Sequence, residues 1–179
     1  MKMSIMTYIG FAEDNLCANL KGDVPMNSMI SFGSRNGGKL YGCLLTLIDM
    51  VQEKQKLLSE ELGSFSAMSR AKEFSTVKLC SCRGSGHTSA IAKVIQDRFD
   101  KVVLVTYNLQ MGNLFLNQYP HLKDKIILCS PKSLTKLLGV SGYEAVIVDC
   151  CSLFFQSQID EVYNITMLSM KSPLYLFME

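Results

Sequence analysis

From Thr76 onward the chain alternates between short, nearly unbroken apolar runs and longer mixed segments. The apolar runs are Thr76 to Cys82, Lys101 to Thr106, Lys125 to Cys129, Tyr143 to Asp149 and Pro173 to Met178. Each has strand length and little polar alternation, as a strand buried on both faces has. Between them, Thr88 to Phe99 carries Ile91, Val94 and Ile95 at helical spacing, and Asn108 to Asn117 shows a weaker helical pattern. Pro131 to Leu138 places a proline where a first helical residue tolerates it, and Gln156 to Tyr163 completes the set. Strands alternating with helices predict βαβ units. The expected fold class is α/β: a three-layer αβα arrangement on a mostly parallel five-stranded sheet spanning 76–179.

Ahead of this core, apolar residues at Leu40, Leu44, Leu47, Ile48, Val51, Leu58 and Leu62 recur at roughly helical spacing. They predict a long amphipathic helix from Lys39 to Leu62 with Gly63 at its C-cap. Ser64 to Glu73 reads as a linker or a short second helix, so 39–75 forms a helical N-terminal extension. Residues 1–38 sustain no period and read as an irregular lead-in, with a short strand at Met29 to Phe32. Their Gly/Ser/Asn-rich end runs into the helix.

Composition narrows the class without naming a function. The 179 residues are 48% hydrophobic and 19% charged, enough for one sizeable core. A formal charge of +2 is too small to imply a nucleic-acid partner by electrostatics alone. No apolar run of membrane-spanning length and no signal peptide is visible, and seven irregularly spaced cysteines fit free thiols better than a disulfide framework. The expectation is a cytoplasmic protein, in the host cytoplasm if viral, with no membrane partner.

The chemistry concentrates in Lys78-Leu-Cys-Ser-Cys-Arg-Gly-Ser-Gly-His-Thr-Ser-Ala90, a strand that enters a glycine loop and then a helix. Such a loop binds phosphate because backbone N–H groups converge there and the helix dipole adds partial positive charge. Laid on the Walker A pattern G-x-x-x-x-G-K-[ST], the first glycine falls at Ser81, the second at Gly86, the lysine at His87 and the hydroxyl at Thr88. Two of four positions survive. Arg83, Gly84, Ser85, Gly86, His87 and Thr88 are the candidate nucleotide-binding residues: Gly84, Ser85, Gly86 and His87 offer backbone amides and Arg83 adds charge. Thr88 is a candidate Mg²⁺ ligand. The bland alternative is a glycine turn with no ligand. A second match, Gly33-Ser-Arg-Asn-Gly-Gly-Lys39-Leu40, keeps both glycines and the lysine but has Leu40 where the metal needs a hydroxyl, and a poor strand precedes it.

Tyr143-Glu-Ala-Val-Ile-Val-Asp149 is an apolar strand ending in a carboxylate, the form of a Walker B strand, which makes Asp149 the second candidate Mg²⁺ ligand.

Loop, helix and strand succession together resemble a degenerate member of the P-loop NTPase superfamily over roughly 76–178. The likeness is to the RecA-like ATPase core of phage large terminase subunits and superfamily 2 helicases. Cys82-Arg-Gly-Ser-Gly-His-Thr88 is similar to the terminase loop, with Arg83, Gly86 and Thr88 matching and His87 departing. Ile126 to Leu134 looks like the helicase strand whose terminal turn touches the nucleic-acid backbone, and Ser172 to Phe177 falls where the motif III strand stands. The resemblance implies ATP or another NTP with Mg²⁺, and a role in DNA metabolism or packaging. Asp149-Cys150 replaces the family's Asp-Glu pair, so the glutamate that polarises water is absent, and no second RecA-like domain follows to supply an arginine finger. Hydrolysis is therefore expected to be weak or absent unless a protein partner completes the site. The competing expectation is a P-loop scaffold that binds no nucleotide and acts as a protein–protein interaction module.

Cys80, Cys82, Cys129, Cys150 and Cys151 fall near strand ends that a parallel sheet gathers at one edge, where a metal cluster is conceivable, but no C-x-x-C spacing supports one and they read in preference as core or loop thiols. Tyr107, Phe115 and Tyr119 read as packing residues in preference to a base-stacking platform.

Overall fold

A computed structural model describes residues 37–58, 61–81, 86–169 and 173–179. Of the expected irregular lead-in over 1–38, residues 1–36, including the strand at Met29 to Phe32, lie outside them, as do Cys82, Arg83, Gly84 and Ser85 of the glycine loop, while Gly37 and Gly38 already belong to the first helix.

Five strands form one sheet: β1 (Thr76–Leu79), β2 (Val102–Val105), β3 (Ile126–Cys129), β4 (Ala145–Val148) and β5 (Leu174–Met178). Their order is β1-β5-β4-β2-β3 and every pairing is parallel. The register is regular, with Val146 opposite Val103 on one side and Tyr175 on the other. Beside the strands run α1 (Gly37–Leu57), α2 (Ala67–Phe74), α3 (His87–Arg98), α4 (Leu109–Gln118) and α5 (Gln156–Ser169).

Because side chains alternate across a strand, β2, β3, β4 and β5 feed two cores, while β1, at the edge, feeds one through Val77 and Leu79. Val77, Leu79, Val102, Leu104, Ala145, Ile147, Leu174, Leu176 and Met178 enter one apolar layer with Leu40, Leu44 and Ile48 of α1, the buried face of α3, and Phe115 of α4. Val103, Val105, Val146, Val148, Tyr175 and Phe177 enter the other, against Ala71 of α2, the turn 131–137, and Val162, Tyr163 and Ile165 of α5. The chain moves along the sheet from β1 to β2 to β3 with its crossovers on the first face, then returns through β4 to β5 with its crossovers on the second. Crossovers of uniform hand require that switch of face.

Local chemistry fixes the helix starts. Ser66 caps α2 by accepting from the Ser69 amide, and Asn108 caps α4 by accepting from the Met111 amide at 2.9 Å. After Pro131 the chain forms a 3₁₀ helix, Pro131–Leu137, opened by a reciprocal Ser130–Ser133 capping box. The first helix ends at Leu57 instead of Leu62, and Gly63 lies in the separate 3₁₀ turn Glu61–Ser64. The stretch after Val51 is rich in Gln, Glu and Lys and buries no side chain on the sheet; polar ties to the end of α2, Gln55 donating to Ser75 at 2.7 Å and Lys54 over the Phe74 ring, hold it, and no apolar burial extends the helix to Leu62.

Among the described residues, no helix is long and apolar enough to cross a membrane.

Candidate functional site

The site is set by the carboxyl edge of the sheet. β4 and β2 are neighbours, yet the chain leaves β2 toward α4 on one face and leaves β4 toward α5 on the other. In open α/β sheets such a switch point opens a crevice in which ligands bind. Asp149 follows β4 at this edge, and its amide donates to the carbonyl of Val105 at 3.0 Å, extending the β2–β4 ladder. That bond fixes the backbone from which the carboxylate projects.

The edge is tied on its other side as well. The Ser81 amide and hydroxyl both donate to the Glu179 carbonyl, at 2.7 and 2.9 Å, and the Glu179 amide donates to Leu79 at 3.0 Å. The strand that leads into the glycine loop is thereby anchored to the end of β5. Cys80 donates to Glu179 Oε2 at 3.1 Å, a bond that holds its thiol pKa above the ordinary value.

From the loop, the chain enters α3 at Gly86, whose φ of 80° lies in the left-handed region that glycine adopts without a Cβ penalty. Gly86 accepts the first helical bond, from the Ala90 amide at 2.9 Å, and has no side chain with which to cap the leading amides. Those amides lack intrahelical partners and point toward the edge with the positive end of the helix dipole.

His87 is the first residue of α3, and its Nε2 stands 3.3 Å from Asp149 Oδ1. The hydrogen bond from His87 to Asp149 raises the histidine's pKa above its ordinary value, burial pulls it back, and the carboxylate charge adds a further upward push. Cys150 Sγ lies 3.6 Å from the same Oδ1 and 4.0 Å from His87 Nε2. Cys150 is held at φ 55° and ψ 52°, and its carbonyl accepts from Leu153 to start a 3₁₀ turn. Asp149 is buried, while His87, Thr88 and Cys150 are half-buried.

The structure therefore brings together His87, from the loop strand's helix, and Asp149, from the carboxylate strand, across the end of β5. Thr88 follows His87 on the first turn of α3. Arg83, Gly84 and Ser85 lie outside the described residues. The convergence of Cys150 with His87 and Asp149 is absent from the sequence reading, since nothing in local spacing links residue 87 to residue 150. Other candidates take structural places. Cys129 is buried at the end of β3, where burial pushes its thiol up to about 11. Phe115 and Tyr119 pack ring to ring at 5.1 Å, and the Tyr119 hydroxyl bonds Ser89. Lys125 donates to the Gln96 and Phe99 carbonyls at the end of α3. Tyr107 is half-exposed and set edge-on to Phe154.

No protein-family model, no curated protein and no solved structure matches the chain.

Proposed function

We propose that the chain binds a nucleotide, ATP or another NTP, with Mg²⁺ at this carboxyl edge, as a degenerate P-loop protein of phage or viral type with weak or absent hydrolysis. The observation that carries the reading is the meeting of the loop-helix start with the carboxylate strand: His87, next to the positive-φ Gly86, lies 3.3 Å from Asp149. A glycine turn without a ligand would need no buried carboxylate at its mouth.

The residues present fit such a ligand. The uncapped amides that open α3 suit phosphate oxygens, and Asp149 with the Thr88 hydroxyl supplies the hard oxygen donors that Mg²⁺ prefers. Bound there, Mg²⁺ would neutralise phosphate charge. Arg83 would add a cation to the loop. His87 would have to leave Asp149 and, when protonated, donate toward the phosphates in the place of a lysine. Cys150, standing where a glutamate would polarise water, cannot accept that proton as a carboxylate does, which accounts for weak turnover. The cytoplasmic setting, the part in DNA metabolism or packaging, and a protein or nucleic-acid partner that completes the site belong to the same proposal.

Isothermal titration with a non-hydrolysable ATP analogue, with and without Mg²⁺, tests it on the wild type and on Thr88→Ala and Asp149→Ala. Magnesium-dependent binding lost in both variants is expected. No binding at millimolar ligand would overturn it. The second reading, a scaffold that binds no nucleotide and acts through protein contacts, is favoured by one observation: Asp149 is already engaged by both His87 and Cys150.

A further inference from the structure

Three chemically different side chains converge at one point: the imidazole of His87, the carboxylate of Asp149 and the thiol of Cys150. They come from two elements far apart in sequence, the first residue of α3 and the turn after β4, and they are the one such group of three His, Cys, Asp or Glu residues among those described. We propose that His87 Nε2, Asp149 Oδ1 and Cys150 Sγ form a three-ligand site for a borderline-soft divalent cation of the Zn²⁺ type, with a fourth position left for water or a phosphate oxygen.

Geometry is the first argument. A tetrahedral Zn²⁺ bound at ordinary Zn–N, Zn–O and Zn–S lengths sets its ligand atoms apart by about 3.4 Å for N to O, and about 3.6 Å for both N to S and O to S. The corresponding separations here are 3.3, 4.0 and 3.6 Å. Two edges already match, and the third closes if the Cys150 thiol moves by a few tenths of an ångström, within the reach of one χ1 adjustment.

Crowding is the second argument. In the metal-free arrangement His87 and Cys150 both turn to the one oxygen, Asp149 Oδ1. A single cation seated between the three atoms satisfies all of them at once. The third argument is the backbone: among the described residues, Cys150 is the one non-glycine residue at positive φ. A thiol-bearing residue kept in a conformation that glycine would adopt more easily is a local cost concentrated at the point of convergence.

The ligand set selects the ion. Thiolate and imidazole favour Zn²⁺ or Co²⁺ over Mg²⁺, which seeks oxygen ligands in an octahedron. Binding converts the Cys150 thiol to thiolate and releases its proton to solvent, with His87 bound as the neutral imidazole. Three protein ligands with an open position are the pattern of a reactive zinc site, not a closed structural one. The site does not rest on nucleotide binding, because all its ligands belong to the chain; it engages His87 and Asp149 together, so it and the Mg²⁺–phosphate arrangement are alternative states of the same edge.

Cobalt titration of the metal-free, reduced protein tests it, with no nucleotide added. The readout is thiolate-to-Co²⁺ charge-transfer absorption, with circular dichroism as a check on folding. Wild type is expected to saturate at one equivalent, with Zn²⁺ displacing the cobalt and millimolar Mg²⁺ leaving it in place. Cys150→Ser should abolish the band, His87→Gln should weaken cobalt binding on the order of 100-fold, and Cys80→Ser should change nothing. Cys150→Gly, which relaxes the positive φ, gives the same reading should the serine variant fold poorly. A missing band, or one that survives loss of the Cys150 sulfur, overturns the site, whatever the outcome with ATP.

Discussion

His87 Nε2 and Asp149 Oδ1, 3.3 Å apart, join the start of α3 to the end of β4 across the carboxyl end of β5. The contact ties two crossovers that lie on opposite faces of the sheet. It also sets a pH dependence. The Asp149 hydrogen bond raises the His87 pKa in the folded state, against the opposing effect of burial. A raised pKa means that the folded state binds the proton more tightly than the unfolded chain, where histidine titrates near about 6.5. The pair's contribution is thus fully present below about pH 6.5 and is lost as pH rises through the folded-state value. In metal-free protein, the imidazole NMR titration of His87 should fall above the ordinary histidine value of about 6.5, and Asp149→Asn should bring it down. A His87 midpoint at or below the ordinary value would contradict the pairing.

Cys150 offers a stability test on the same turn. At φ 55° its Cβ crowds the backbone, a cost of about 1–2 kcal/mol that glycine does not incur. Glycine also has more freedom to lose on folding, which offsets part of the gain. Cys150→Gly should therefore raise stability by up to about 1 kcal/mol in urea denaturation of the metal-free protein, with Cys150→Ala neutral or worse. Destabilisation by glycine would mean that the thiol's contacts outweigh the strain.

Gly86 constrains how the loop can be probed. Its φ of 80° excludes β-branched side chains from the start of α3, so Gly86→Val would strain the backbone as well as fill space. Thr88→Ala alters the candidate ligand within a helix, where alanine is well tolerated, and should leave the denaturation midpoint close to that of the wild type. A large loss of stability in Thr88→Ala would assign that hydroxyl a structural role.

How far the sequence discloses this arrangement depends on the kind of signal. The strands are legible because they are short and mostly apolar; β2, β4 and β5 are buried throughout, while β1, at the sheet's edge, exposes Lys78. The ends are less so: α5 runs to Ser169, past the Tyr163 read from periodicity, because Ile165 and Thr166 are still buried beneath it. His87 and Asp149 are each conspicuous in sequence, one for its place after Gly86 and the other for closing Ala145-Val-Ile-Val148. Their meeting is not, since it depends on β5, the last strand in the chain, inserting between β1 and β4. Hydrophobic period reports which face a residue takes and carries no information on strand order. For the same reason Cys150 reads as a core or loop thiol until the sheet is assembled.

The second core contains a buried polar relay. Thr166 Oγ1 donates to the Val162 carbonyl at 2.6 Å and shares a 2.9 Å hydrogen bond with the Tyr175 hydroxyl, while the Tyr143 hydroxyl donates to the Thr166 carbonyl at 3.3 Å. Thr166, Tyr143 and Tyr175 are all fully buried. Thr166→Val keeps the shape but leaves the Tyr175 hydroxyl without this partner, at a cost of about 1–3 kcal/mol. Tyr175→Phe removes the hydroxyl itself and should cost less. The double variant should be less destabilised than the sum of the two singles, and a strictly additive pair would show that the hydrogen bond contributes nothing.

The first helix offers a contrast between apolar burial and surface charge. Leu40, Leu44 and Ile48 recur every four residues, and Leu44 and Ile48 are wholly buried in the first core. On the rim of the same contact, the Tyr41 hydroxyl donates to Asp97 at 2.7 Å and Arg98 pairs with Asp49. Removing the buried methyl groups leaves a cavity between helix and sheet, so Leu44→Ala or Ile48→Ala should cost about 2–5 kcal/mol. The Arg98–Asp49 pair is exposed and competes with water, so Asp49→Ala should cost no more than about 1 kcal/mol. Urea denaturation of the three variants checks the order. If α1 were a loosely tethered appendage, the core substitutions would lower the midpoint no more than the surface one, and protease would remove the helix without unfolding the sheet.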